Sequence, residues 1–142
     1  MSQENVEIVR RSYTALNDAY RAGDPSIFRP ILEEYSDPDV VFEPAGVLPD
    51  SARRPHEGWD GVLAFIGNQM EAVSEGWSEA TEFIDRGDYV IVPWRFGGRA
   101  RHTGLPVEFS FVHLITLRNR KVTRLEVYRT KPEALEAAGL SD

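Results

Sequence analysis

The chain has 142 residues, a formal net charge of −7, 42% hydrophobic and 27% charged residues, and no cysteine. That length suits one domain with a sizeable core, and the composition excludes a disordered or fibrous chain. Without cysteine there is no disulfide, thiol nucleophile or thiolate metal site. No apolar run approaches the ~20 residues that span a bilayer, and the first residues lack a basic-then-apolar leader, so a cytoplasmic protein with no membrane partner is expected. Residues 95–131 hold nine Lys/Arg against two Asp/Glu, while the rest of the chain is acidic. The whole chain would repel a polyanion, so basic strands facing acidic helices are expected rather than a nucleic-acid partner.

Val6, Val9, Tyr13, Leu16 and Tyr20 recur at three- and four-residue spacing, which predicts an amphipathic helix over 3–22. Gly23-Asp24-Pro25 stops it and starts a new segment. Ile27–Tyr35 reads as a short second helix begun late by Pro30, Ser36-Asp37-Pro38 as a turn, and Asp39–Glu43 as a strand. Residues 44–58, rich in Pro, Gly and Arg, read as a loop, and Trp59–Val73 as a third helix. Strands follow over 77–85 and 89–103, the latter with a bulge or bend at Gly97-Gly98. Residues 107–118 and 121–130 form a hairpin closed by Arg118-Asn119-Arg120-Lys121, and Lys131–Gly139 a terminal helical turn. No repeat or linker interrupts the chain, which reads as one domain over 1–142. Helices first and long antiparallel strands later argue α+β: a curved sheet around helices, leaving an open mouth for a small molecule.

Three stretches carry a resemblance. They are NVEIVRRSYTALNDAYRAGD, then YSDPDVVFEPAG with HEGWDGVLAFI, then FSFVHLITLRNRKVTRLEVYRTKPEALEAAGL. In order and spacing the chain resembles the nuclear transport factor 2-like superfamily, and within it the SnoaL-like branch, related to ketosteroid isomerases and SnoaL-like polyketide cyclases. The resemblance implies a cone-shaped antiparallel sheet wrapped around helices, a cystatin-like roll. It also implies a homodimer formed through the outer sheet face. The superfamily hosts isomerases, dehydratases, cyclases, epoxide hydrolases and binding modules, so function has to be argued from the site.

Strand alternation groups Val107, Phe109, Phe111, His113, Ile115 and Leu117 on one face. Ketosteroid isomerases place an acid on the strand matching FVHLITL, where His113 stands, and their first-helix tyrosine aligns with Tyr13. The resemblance thus puts Tyr13 and His113 inside the cone, with Phe109 and Phe111 as apolar walls; Leu125 and Val127, which share a face of the last strand, are expected to bind ligand too. Epoxide hydrolases of the superfamily carry an inward arginine in the strand matching VPWRFGG, which implies an inward Arg95, with Trp94, Phe96 and Tyr128 serving the outer face. Arg95 could instead neutralise Glu43 or a helix carboxylate, and His113 could be a structural histidine. The isomerase base belongs to a D-P-x-G stretch, matched here by Glu43-Pro44-Ala45-Gly46. By strand parity, however, Glu43 falls one residue early and Pro44 holds the acid slot, which leaves its facing open.

These residues suit acid–base chemistry. A carboxylate in an apolar pocket can take a proton, and Tyr and His can hydrogen-bond a developing oxyanion. An inward Arg could hold an anionic group. The expectation is a cofactor-free isomerase, cyclase or lyase acting on a hydrophobic carbonyl or enol compound, with Tyr13, Glu43 and His113 catalytic. The alternative is a non-catalytic ligand-binding or dimerisation module. Epoxide hydrolase-like activity is weaker, because Gly97 and Val127 stand where its two acids would be. His56, His102 and His113 are too scattered for a metal site, and no glycine-rich loop precedes a helix to hold a nucleotide.

Overall fold

The computed structural model describes residues 2–44 and 55–140. Helix α1 (Ser2–Ala22) turns the stripe of Val9, Tyr13 and Tyr20 into the protein. It ends at Gly23, whose φ of +66 suits a residue without a Cβ. The Asp24 carboxylate accepts from the Ser26 N–H and caps a 3-10 turn over Pro25–Phe28. That turn runs into α2 (Arg29–Tyr35), with Pro30 in its first turn, where a missing N–H costs nothing.

Strand β1 (Ser36–Glu43) begins within the expected turn. Its register shifts between Ser36 and Val41, around Pro38, which cannot donate to a ladder. Strand β2 (His56–Glu57) pairs antiparallel with β1 inside the expected 44–58 loop, of which residues 45–54 lie outside the described residues. Helix α3 (Gly58–Glu71) follows. The expected strand over 77–85 is two strands, β3 (Val73–Ala80) and β4 (Ile84–Arg86), both pairing with β5 (Tyr89–Ala100). Strands β6 (Pro106–Arg118) and β7 (Lys121–Tyr128) meet at Asn119 and Arg120, whose φ values of 52 and 64 make the tight hairpin turn that matches strand twist. Helix α4 (Lys131–Ala137) closes the chain, with Thr130 as its N-cap. The sheet order is β2-β1-β7-β6-β5-β3, antiparallel except for the β1–β7 pair.

Register decides which side chains meet. Val92 lies opposite His113, Trp94 opposite Phe111 and Phe96 opposite Phe109, and opposed residues share a face. With His113 on the concave face, Trp94 and Phe96 are there too, against the expectation that they face outward. Val127 opposes His113 and Leu125 opposes Ile115 on the same side. Helices α1 and α3 cover this face. On the outer face, Ile91, Val112 and Leu114 are buried beneath Ala134 and Leu135 of α4. The chain therefore covers part of the outer sheet face itself.

The expected irregularity at Gly97-Gly98 has its extra residue on the neighbouring strand. Between Ser74 and Trp77, β3 bulges against β5, with Glu75 at φ +52. The two glycines make room for it. A Cβ on Gly97 would lie 2.5 Å from the Val107 carbonyl oxygen and 2.8 Å from the Trp77 ring. Gly97→Ala is therefore expected to lower stability by about 1–3 kcal/mol, the usual cost of overpacking. An unchanged urea midpoint for this variant would show that the strands close up without needing the glycine.

Candidate functional site

The concave face and helices α1–α3 enclose a cavity of about 110 Å3. Its walls are aliphatic and aromatic, with Leu16, Phe42, Phe65, Phe111 and Ile115 among them. No Asp, Glu, Lys or Arg lines it among the described residues. Its polarity comes from a few uncharged groups, chiefly Tyr13, Tyr20, Gln69 and His113.

The central pair is Tyr13 and His113. Tyr13 is delivered by the buried stripe of α1, and His113 by the inward parity of β6. The Tyr13 hydroxyl and His113 Nδ1 are 2.5 Å apart. Both side chains are buried, at 7% and 4% exposure, which decides their charge. Burial lowers the His113 pKa to about 3 and raises that of Tyr13 well above the usual phenol value. Both groups are therefore neutral at physiological pH. We assign the tautomer in which the Tyr13 hydroxyl, which has no other partner among the described residues, donates to Nδ1 and the imidazole proton sits on Nε2. Nε2 makes no hydrogen bond among the described residues and is not among the sealed-off polar atoms. The Trp94 ring packs on the imidazole, with centroids 4.8 Å apart.

The structure brings Tyr13, His113, Phe111, Leu125 and Val127 together around the cavity, as the sequence suggests. Three other residues require correction. Phe109 stacks on Phe96 at 5.2 Å, but it is 45% exposed near the end of the hairpin and does not line the cavity. Arg95 opposes Ser110 on the outer face, where Glu79 at 2.9 Å and Glu108 at 3.1 Å bind its guanidinium and Trp77 stacks beneath it. Desolvating that charge in an apolar cone would be costly, and the register assigns the inward slots to Trp94 and Phe96. Glu43 also points outward. It opposes Glu126 across the β1–β7 pair and forms an ion pair with Arg124, whose Nε lies 3.4 Å from Glu126. Pro44 is buried in its place.

Sequence reasoning missed Trp94, Gln69 and the cavity role of Tyr20. Trp94 follows from register once the β5–β6 loop length is known. Tyr20 lies seven residues after Tyr13, two helical turns along one face. Gln69 continues the stripe of Val62, Phe65 and Ile66 on α3, and a polar residue on an apolar stripe is its signal. The Tyr20 hydroxyl donates to Gln69 Oε1 at 2.9 Å.

Because His113 is neutral when folded and has an ordinary pKa when unfolded, the unfolded chain binds the extra proton. Its contribution is intact above about pH 6.5 and is lost as pH falls towards 3, at up to about 1.4 kcal/mol per pH unit. Unfolding measured from pH 7 to 4 is expected to show this extra acid sensitivity in the wild type and not in His113→Gln. Parallel pH profiles for the two proteins would contradict a buried neutral imidazole.

No group of three or more potential metal ligands occurs among the described residues, and no described helix is long and apolar enough to cross a membrane. No curated protein matches the sequence. Among solved structures, the chain is similar to a protein described as a SnoaL-like polyketide cyclase from Jannaschia sp. CCS1. The two share 22% identity and a TM-score of 0.71, over 96% of this chain and 92% of that one. It is similar to an NTF2-like protein of unknown function from Burkholderia pseudomallei K96243, at 25% identity and TM-score 0.71, over 94% and 95%. It is also similar to TerC, crystallised with polyporic acid, at 24% identity and TM-score 0.66, over 94% and 96%. The SnoaL-like domain matches residues 9–125, most of the cone and the whole Tyr13–His113 pair, and the chain belongs to that family.

Proposed function

We propose that the protein binds a small, uncharged, largely apolar molecule bearing a carbonyl or enol oxygen. The Tyr13–His113 pair would polarise that oxygen. The observation that carries this reading is a buried imidazole tied to Tyr13 through Nδ1, with Nε2 unpartnered among the described residues, in a cavity whose described lining has no charge. An ionic ligand would lose its hydration with nothing to replace it, whereas a carbonyl would meet a donor. As charge develops on the oxygen, Nε2–H shortens its hydrogen bond and Tyr13 steadies the ring from Nδ1. Burial holds the Tyr13 phenol protonated, so the pair acts by hydrogen bonding rather than by giving up a proton. This is the polarising half of isomerase-, cyclase- or lyase-type chemistry. The crystallisation of TerC with an organic acid supports small-molecule binding in this fold.

A second reading, ligand binding without turnover, is favoured by a specific observation. Glu43, the expected base, lies outside the cavity, and no carboxylate replaces it among the described residues. Epoxide hydrolase-like chemistry has no inward arginine to rest on among the described residues. In either reading we take the chain as one domain that acts in the cytoplasm without a cofactor. It would pair with a second copy through the outer face left free by α4.

Titration with a naphthalene bearing an acetyl group, and with its isopropenyl analogue lacking the oxygen, tests the first reading. The acetyl compound is expected to bind about fivefold or more tightly, the worth of one hydrogen bond. His113→Phe should abolish that preference, Glu43→Gln should leave it intact, and it should be flat from about pH 5 to 9. Equal affinity for the two compounds, or binding that titrates as an ordinary histidine, would overturn the proposal. A proton-transfer assay on enolisable ketones separates the two readings, since only the first requires turnover.

A further inference from the structure

The cavity has a second polar point that the Tyr13–His113 pair does not use. On α3, Gln69 lines the cavity and accepts the Tyr20 hydroxyl through Oε1, at 2.9 Å. Its amide NH2 has no hydrogen-bond partner among the described residues and is not among the sealed-off polar atoms. Burial raises the Tyr20 phenol, so this pair too is uncharged. Two neutral pairs of the same kind therefore line one cavity, each with a hydroxyl committed to its partner and an N–H left to offer.

The tyrosines of the two pairs share one helix. Tyr13 and Tyr20 are seven residues apart on α1, about 10 Å along its axis and on the same face. The surface between them is apolar. The Trp94 ring bridges the gap, 4.8 Å from the His113 ring and 6.1 Å from the Tyr20 ring. Leu16 occupies the intervening turn of α1.

Building on the reading of His113 as the oxygen-polarising donor, we propose that the cavity is a two-point site for an elongated, flat, uncharged molecule. One oxygen function would meet His113 Nε2–H, and a second, at the far end of an apolar frame, would meet the Gln69 amide. Gln69 is then a specificity-determining residue: it selects ligands by length and by an oxygen remote from the polarised one. Amide and imidazole are each held by a hydroxyl of α1, so both are oriented before the ligand arrives, and little ordering is left to oppose binding.

Three naphthalene probes test this. The first carries an acetyl group on one ring and a hydroxyl at the opposite end of the other, the second lacks the hydroxyl, and the third has isopropenyl in place of acetyl and no hydroxyl. The wild type is expected to bind the first about fivefold or more tightly than the second. Gln69→Leu should erase that ratio of affinities, with a circular dichroism spectrum matching the wild type's showing that it is folded, while Glu43→Gln, outside the cavity, should keep the ratio. Tyr20→Phe, which removes only the hydroxyl that orients the amide, should erase part of it. If the wild type prefers acetyl to isopropenyl but the remote hydroxyl adds nothing, or its advantage survives Gln69→Leu, the two-point site is wrong and the oxygen-polarising site stands. If acetyl and isopropenyl bind alike, or neither binds, the underlying reading fails and this one with it.

Discussion

The site depends on one buried contact, the hydrogen bond between the Tyr13 hydroxyl and His113 Nδ1. It joins the first helix to the middle of the sheet across 100 residues of sequence. Burial favours the neutral form of both, and with the Tyr13 hydroxyl assigned as donor to Nδ1 the imidazole proton sits on Nε2. Position, charge state and tautomer follow from the same geometry. The remaining nitrogen becomes a donor at an apolar space, and an apolar space with uncharged donors selects for an uncharged acceptor.

Strand register supports that contact. The β5–β6 ladder sets Trp94 and Phe96 beside the imidazole face of β6 and sends Arg95 to the opposite side. There Arg95 finds Glu79, Glu108 and the Trp77 ring. Exposed pairs of this kind add little stability individually. Their contribution is negative: charge has a satisfied place outside the cone, and none of the described lining needs to carry it. Glu43, Arg124 and Glu126 form a similar outer cluster on β1 and β7. The basic strand segment noted in the sequence is thus neutralised partly along the sheet's outer face, by acids of neighbouring strands, and not only by helices across the core.

The architecture was legible because it rests on periodicity. The α1 stripe, the hairpin at Asn119-Arg120 and the helix-then-strand order all recur in the structure. The inward placement of His113, Phe111, Leu125 and Val127 was legible because period-two alternation propagates along a strand once one residue is fixed. What was illegible was relative parity between strands. Arg95 and His113 cannot share a face, yet this depends on the number of residues turning between β5 and β6, which alternation within either strand does not reveal. Glu43 misled for the same reason: the motif placed it inward, while the count along β1 gave that slot to Pro44. Gln69 was overlooked because a single polar residue in an apolar stripe looks like a defect until the stripe is seen to wall a cavity. Phe109 followed the inward parity of β6, but the strand extends past the helices that would have covered it.

The most direct test is the ionisation and tautomer of His113 in the intact protein, read by long-range proton–nitrogen NMR of the imidazole ring. A ring that is protonated on Nε2, bare on Nδ1 and unchanged from about pH 8 to 5 is the predicted result. A ring that takes up a proton with a midpoint near 6.5, or that carries its proton on Nδ1, would contradict a neutral donor facing the cavity.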